Sequence, residues 1–363
     1  MFKNIYQDKR VLITGHTGFK GSWLCAWLLD LGAKVAGYSV DVPTKPSHFE
    51  ALALANRIEH FQGDVRNKDS LRQTVDRFCP EIVFHLAAQP LVRKSYEDPA
   101  LTFETNFTGT LNLLECLRNQ PSILAAVLVT SDKCYENVEW LWGYRENDRL
   151  GGKDPYSASK ACAELISKAY MESFFKEKGP NIATARAGNV IGGGDWAFDR
   201  IIPDCIRAWS EKKSVAIRNP NATRPWQHVL EPLSGYLTLG QKLYSENSVC
   251  KNQSFNFGPQ TKVNQSVGDL ITEIAQYWEG AEWQFQQGSD SSKTESTLLK
   301  LNCDKAFQIL RWSAILDFQE TVRMTGNWYQ AFYRQPASIS ETTSKQIEKF
   351  TEIATRSNLS WAQ

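Results

Sequence analysis

The chain has 363 residues, 42% of them apolar, and a formal charge of +1 with 41 basic against 40 acidic residues. That composition is globular, not disordered, and a balance of this kind carries no field to draw nucleic acid or an anionic membrane, so anion recognition has to be local. Eight scattered cysteines without a C-x-x-C pair or clustered histidines argue for free thiols in a reducing cytoplasm, against a disulfide frame and against a metal site. The polar Met1–Arg10 stretch runs straight into a strand, and no apolar run approaches the roughly 18 residues of a membrane span.

In chain order, Arg10–Thr14 (RVLIT) reads as a strand, Ser22–Leu31 as a helix through the spacing of Trp23, Leu24, Trp27 and Leu28, and Lys34–Val40 as a second strand. Glu81–Ala87 and Ala125–Thr130 read as buried parallel strands with a helix from about Pro99 to Leu117 between them. A helix over Ser157–Lys176 precedes another strand at Asn181–Arg186. The alternation predicts an α/β fold, a Rossmann-type doubly wound parallel sheet, with a smaller C-terminal α/β lobe over the carboxyl ends of the strands. The expected division is residues 1–187 plus about 227–258 for the first domain, about 188–226 plus 259–336 for the lobe, and 337–363 as a peripheral tail.

The first strand opens into Gly15-x-x-Gly18-x-x-Gly21 at the start of a helix, with Thr17 and Phe19 in the loop. Glycines there let the backbone meet a pyrophosphate, and the helix start supplies free N–H groups, which predicts a dinucleotide site. Either Ser39 or Asp41 falls where the adenosine ribose is met; an acid with no nearby Arg favours NAD over NADP. Asp64, followed by Val65, is a candidate for the adenine end or a simple turn acid.

Tyr156 and Lys160 stand four apart at a helix start, on one face, where an ammonium can lower a phenol's pKa and make it a base. With TGHTGFKG (14–21), HLAAQP (85–90), VTSDK (129–133), YSASK (156–160) and RAGNV (186–190), nearly the whole chain resembles the extended short-chain dehydrogenase/reductase superfamily. The resemblance implies an NAD enzyme acting on a nucleotide sugar, with Ala87 beside the cofactor and a homodimer built through helices at about 100–118 and 157–176.

Within that family, Asp132 and Lys133 after the strand point to a 4,6-dehydratase. One group must protonate the departing C6 hydroxyl and the other must remove the C5 proton. A lysine serves as base only where desolvation or a neighbouring cation lowers its pKa, and here it stands where many hexose dehydratases carry Glu. Asp132-Lys133-Cys134-Tyr135-Glu136-Asn137 resembles the branch acting on CDP-glucose, in deoxyhexose synthesis for surface polysaccharide such as O-antigen. Ser131 or Thr130 is then the hydroxyl that assists Tyr156. For the diphosphate the resemblance offers Arg224 and Asn189, with Arg93, Arg200, Arg218 and His228 as further substrate contacts. His16, His48, His60 and His85 are expected to be structural. A 4-epimerase would not need Asp132 and Lys133, and a dinucleotide-sensing regulator would not keep Tyr156 and Lys160.

Overall fold

The structure is a computed structural model, and it describes residues 1–217, 219–245, 248–260, 264–285 and 298–363. The chain runs β1 (Arg10–Thr14), α1 (Phe19–Asp30), β2 (Lys34–Ser39), β3 (Glu59–Gln62), α2 (Lys68–Phe78), β4 (Ile82–His85), α3 (Gly109–Asn119), β5 (Ala125–Val129), α4 (Pro155–Ser173), β6 (Asn181–Ala187), α5 (Ile201–Ser210), α6 (Leu230–Leu243), β7 (Gln253–Phe257), α7 (Val267–Ala275), α8 (Phe318–Arg334) and α9 (Ile339–Arg356), with shorter pieces between.

The seven strands form one sheet in the order β7-β6-β5-β4-β1-β2-β3, and every pairing is parallel. The order reverses direction at β1, so β1 and β4 diverge there and open the crevice in which ligands of such sheets bind. Strand side chains alternate between the faces. Leu12, Ala36, Val83, Ala126 and Leu128 pack under α2, α3 and α4, while Val11, Ile13, Phe84, Val127 and Ala185 pack with α1 and α6 on the other side. Burial on both faces explains why these strands are continuous apolar runs.

Past β6 the strands outside the main sheet are short. Val215–Ile217 pairs with Trp283–Phe285, and Thr223–Arg224 pairs antiparallel with Gln265–Ser266. A capping box of Ser266 and Asp269 starts α7. The segment from Ala337, expected as a peripheral tail, is a docked helix. Phe350 of α9 meets Trp27 of α1 edge-on, and Trp361 stacks on Phe2 with ring centroids 5.1 Å apart. Its polar residues had masked an apolar stripe at Ile339, Ile347, Phe350 and Ala354. No helix among the described residues is long and apolar enough to cross a membrane.

Candidate active site

The glycine loop forms a backbone cradle. Gly15 has φ +75°, and a Cβ there would stand 2.6 Å from the Ala87 nitrogen; one at Gly21 would stand 2.2 Å from the Gly15 oxygen. Ala87 is held in turn by Thr14, whose Oγ1 accepts its N–H at 3.3 Å and lies 2.7 Å from His85 Nδ1. Gly18 begins α1 with no side-chain cap and no acid in the first turn, so the helix start stays open to an anion. The arrangement fits the pyrophosphate of a dinucleotide.

At the ribose end, Ser39 Oγ is engaged by the loop itself, 2.9 Å from His16 Nδ1, and Thr17 Oγ1 donates to the Asp41 carbonyl at 2.6 Å. Asp41 is exposed beyond the end of β2. His16 Nε2 lies 2.7 Å from His60 Nδ1, and burial together with His60 lowers the His16 pKa to about 3. This chain of neutral groups carries the loop. Asp64 is bound by Arg66 at 2.6 Å; burial works against its charge, but the bonds from Arg66 hold its carboxyl below the usual range. Val65 packs against Gly109, and Asn112 Nδ2 donates to its carbonyl.

At the carboxyl end of β5 the chain breaks into a short turn, Asp132–Cys134, capped by Ser131. Ser131 Oγ donates to Asp132 Oδ1 at 3.0 Å and accepts the Lys133 N–H at 3.2 Å. Thr130 is committed elsewhere, its hydroxyl donating to the buried Glu164 of α4. Of the two expected hydroxyls, Ser131 is the one that acts on Tyr156, drawing the phenol's pKa down.

Tyr156 and Lys160 sit on the first turns of α4, which Asp154 caps by accepting the Ser157 N–H at 2.9 Å. Both are buried. Burial, with the charge of Asp132, pushes the Tyr156 phenol up to about 12, against the influence of Ser131 and the charge of Arg200; the lowering expected from Lys160 is not among the causes. Burial and then the charge of Lys20 bring Lys160 down to about 8.

Lys20 is the residue that motif reading missed, since it sits inside the glycine signature as a spacer. Its ammonium enters the catalytic centre from α1, where it feels Arg200, Asp132 and Asp195, and burial lowers it to about 8. Both lysines are therefore cations below about pH 8 and lose charge above it. We expect kcat/KM to fall above about pH 8, with the limb moved upward in Lys20→Met because one repelling charge on Lys160 is gone. A wild-type profile level to about pH 9.5 would contradict this.

Asp132 is packed directly on the turn after β6. A Cβ at Gly188 would lie 1.9 Å from Asp132 Oδ2, and Asn189, at φ +53°, brings its Nδ2 to 3.5 Å from the same oxygen. Gly188→Ala should displace that carboxyl and lower kcat by about tenfold or more without loss of cofactor affinity, read by steady-state rates and calorimetric titration. Arg200 also reaches the centre, paired with Asp195 at 2.7 Å.

The remaining expected substrate residues are placed differently. Arg93 pairs with Asp199 at 2.6 Å, both partly exposed. His228 is wholly buried against Trp23, its Nδ1 accepts the Leu230 N–H at the start of α6, and burial takes its pKa to about 3. Arg224 Nη1 donates to the Thr223 carbonyl at 2.9 Å. Arg218 lies outside the described residues.

The family described as GDP-mannose 4,6 dehydratase matches residues 12–325. The CDP-glucose 4,6-dehydratase of Salmonella typhimurium is 48% identical over 338 residues, covering 92% of this chain and 93% of that protein. The dTDP-glucose 4,6-dehydratase 1 of Escherichia coli is 25% identical, covering 88% and 92%. Among solved structures, an epimerase of Methanothermobacter thermautotrophicus superposes with a TM-score of 0.80 at 22% identity, over 93% of this chain and 96% of the other. A dTDP-glucose 4,6-dehydratase of Bacillus anthracis, in complex with NAD, gives 0.73 at 19% identity, over 89% and 96%. With a Rossmann sheet, a glycine cradle, the Tyr156-Lys160 pair and a match along most of its length, the chain belongs to the GDP-mannose 4,6 dehydratase family, nucleotide-sugar dehydratases of the short-chain dehydrogenase/reductase type.

Proposed function

We propose that the protein converts CDP-D-glucose to CDP-4-dehydro-6-deoxy-D-glucose and water. The observation that carries this reading is the acid and amine of Asp132 and Lys133 on the turn leaving β5, beside Ser131, with Asp132 within electrostatic reach of Tyr156. Removing and returning a hydride at C4 needs only a Tyr-Lys pair and a hydroxyl; eliminating water needs two more proton-transfer groups. The 48% identity with a CDP-glucose 4,6-dehydratase supports the choice of nucleotide.

NAD, held by the Gly15–Gly21 cradle, would supply the acceptor for the C4 hydride and the donor of that hydride to C6. Tyr156 takes the C4 hydroxyl proton, with Ser131 hydrogen-bonded to both its own turn and the phenol. The C4 ketone acidifies C5, whose proton passes to Lys133. Asp132 gives its proton to the C6 oxygen as the C6–O bond breaks, and Lys133 later reprotonates C5. Lys160 orders the cofactor side of the pair, and Arg224, Arg200 and Asn189 hold the diphosphate. The enzyme works as a homodimer through the helical stretches at about 100–118 and 157–176, where Leu165 and Phe174 are exposed, and its eight free thiols suit the cytoplasm.

Incubation with NAD and CDP-, dTDP-, UDP- or GDP-hexose, followed by mass spectrometry, tests the assignment. Loss of one water from CDP-glucose is the expected result. A product of unchanged mass would mean an epimerase and would remove the roles given to Asp132 and Lys133.

A further inference from the structure

Tyr236, in the second turn of α6, is wholly buried, and its hydroxyl has no hydrogen-bond partner among the described residues. The ring is fixed: it meets Phe257 edge-on at 5.7 Å, and the Lys20 ammonium stands 5.9 Å from its centroid. α6 packs across β5 and β6, and Phe257 pairs with Ala187, so the ring sits by the end of β6 that leads into Gly188, the residue packed on the Asp132 carboxyl. Burial holds the phenol protonated, and the charge of Asp132 and then Tyr156 act in the same direction.

A buried hydroxyl without a partner is costly, and folded proteins keep few of them. A phenylalanine would fill the same space without that cost. Asp132 is short of a donor on the matching side: Oδ1 accepts from Ser131 at 3.0 Å, whereas Oδ2 has only the 3.5 Å approach of Asn189.

We propose, resting on the reaction assigned above, that Tyr236 is a positioning residue for Asp132. Its O–H dipole is directed at the Asp132 carboxyl and stabilises the negative charge that develops there as the proton passes to the C6 oxygen, the C6–O bond breaks and water leaves. A fixed donor aimed at developing charge in a dry site is worth far more than the same donor in water. Tyr236 thereby acts on elimination and leaves the proton transfer at C4 to Tyr156 and Ser131.

The leaving group supplies the test. Fluoride departs without needing full protonation, so a substrate with fluorine in place of the C6 hydroxyl depends less on Asp132. With NAD present, Tyr236→Phe should turn over CDP-glucose about 10- to 100-fold more slowly, with KM within about twofold. The same variant should process CDP-6-deoxy-6-fluoroglucose within about threefold of the wild-type rate, and its melting temperature should equal or exceed that of the wild type. Equal slowing on both substrates, unchanged turnover of CDP-glucose, or a lower melting temperature would each overturn the proposal. A wild-type protein inert towards both substrates would overturn the reaction assignment and this inference together.

Discussion

Tyr156→Phe is expected to lower kcat by about 10²- to 10⁴-fold, the range spanned by loss of a positioned acid–base group. The fold should survive, since the ring is kept and only the hydroxyl contact with Ser131 is lost. The phenol is buried and pushed up to about 12, so at neutral pH it is protonated in the structure and needs neighbouring cations to act as a base. Arg200 already works in that direction, and Lys160 stands one helical turn away. Lys133→Ala should give a different signature, with C4 chemistry retained and elimination slowed. Steady-state rates with CDP-glucose, alongside a melting curve, check both. If Tyr156→Phe keeps more than about a tenth of the activity, the C4 proton goes elsewhere and the Tyr-Lys pair has another role.

The parallel sheet was legible because a strand buried on both faces has to be an unbroken apolar run, and β1, β4 and β5 are such runs. The glycine cradle was legible for a related reason: only glycine fits where backbone meets backbone, as at Gly15 and Gly21. The partners of the histidines were not. His16 meets His60, and His48 lies 2.8 Å from Ser22 Oγ, through folding that no local pattern encodes. His228, drawn into a substrate motif by its neighbour Arg224, is buried together with Gln227 in the short strand the two form. Lys20 and Tyr236 were invisible for the same reason. Each lies in an element whose recognisable role is something else, and only the packing of α1 on β1 and β2 and of α6 on β5 and β6 brings them within the influence of the Asp132 charge.

Arg186→Met should destabilise the fold by about 3–5 kcal/mol, the usual cost of breaking a buried ion pair by removing one partner. Arg186 Nη2 lies 2.7 Å from Glu164 Oε2, with both side chains almost wholly shielded. Glu164 also accepts from Thr130 at the end of β5, from Thr184 on β6 and from Ser254 on β7, so one carboxylate ties α4 to three adjacent strands. Burial opposes its charge, but Arg186 holds the carboxyl below its ordinary range; its stabilising effect is present above that range and is lost as pH falls through the lowered value. Glu164 lies one turn beyond Lys160, and Thr130 precedes Ser131, so the same group sets the distance between Tyr156 and the Asp132 turn. The single variant should therefore lose activity as well as stability, even below its melting temperature. Replacing both partners, as Glu164→Leu with Arg186→Met, removes the stranded charge and should recover part of the loss. Recovery should stay incomplete, because Thr130 is then left as a buried hydroxyl without its acceptor, while Thr184 keeps Ser254. Denaturant unfolding of the two singles and the double measures this coupling. A pair whose single losses simply add would show that Glu164 and Arg186 act independently, and the tie between α4 and the sheet would then rest on the hydroxyls alone.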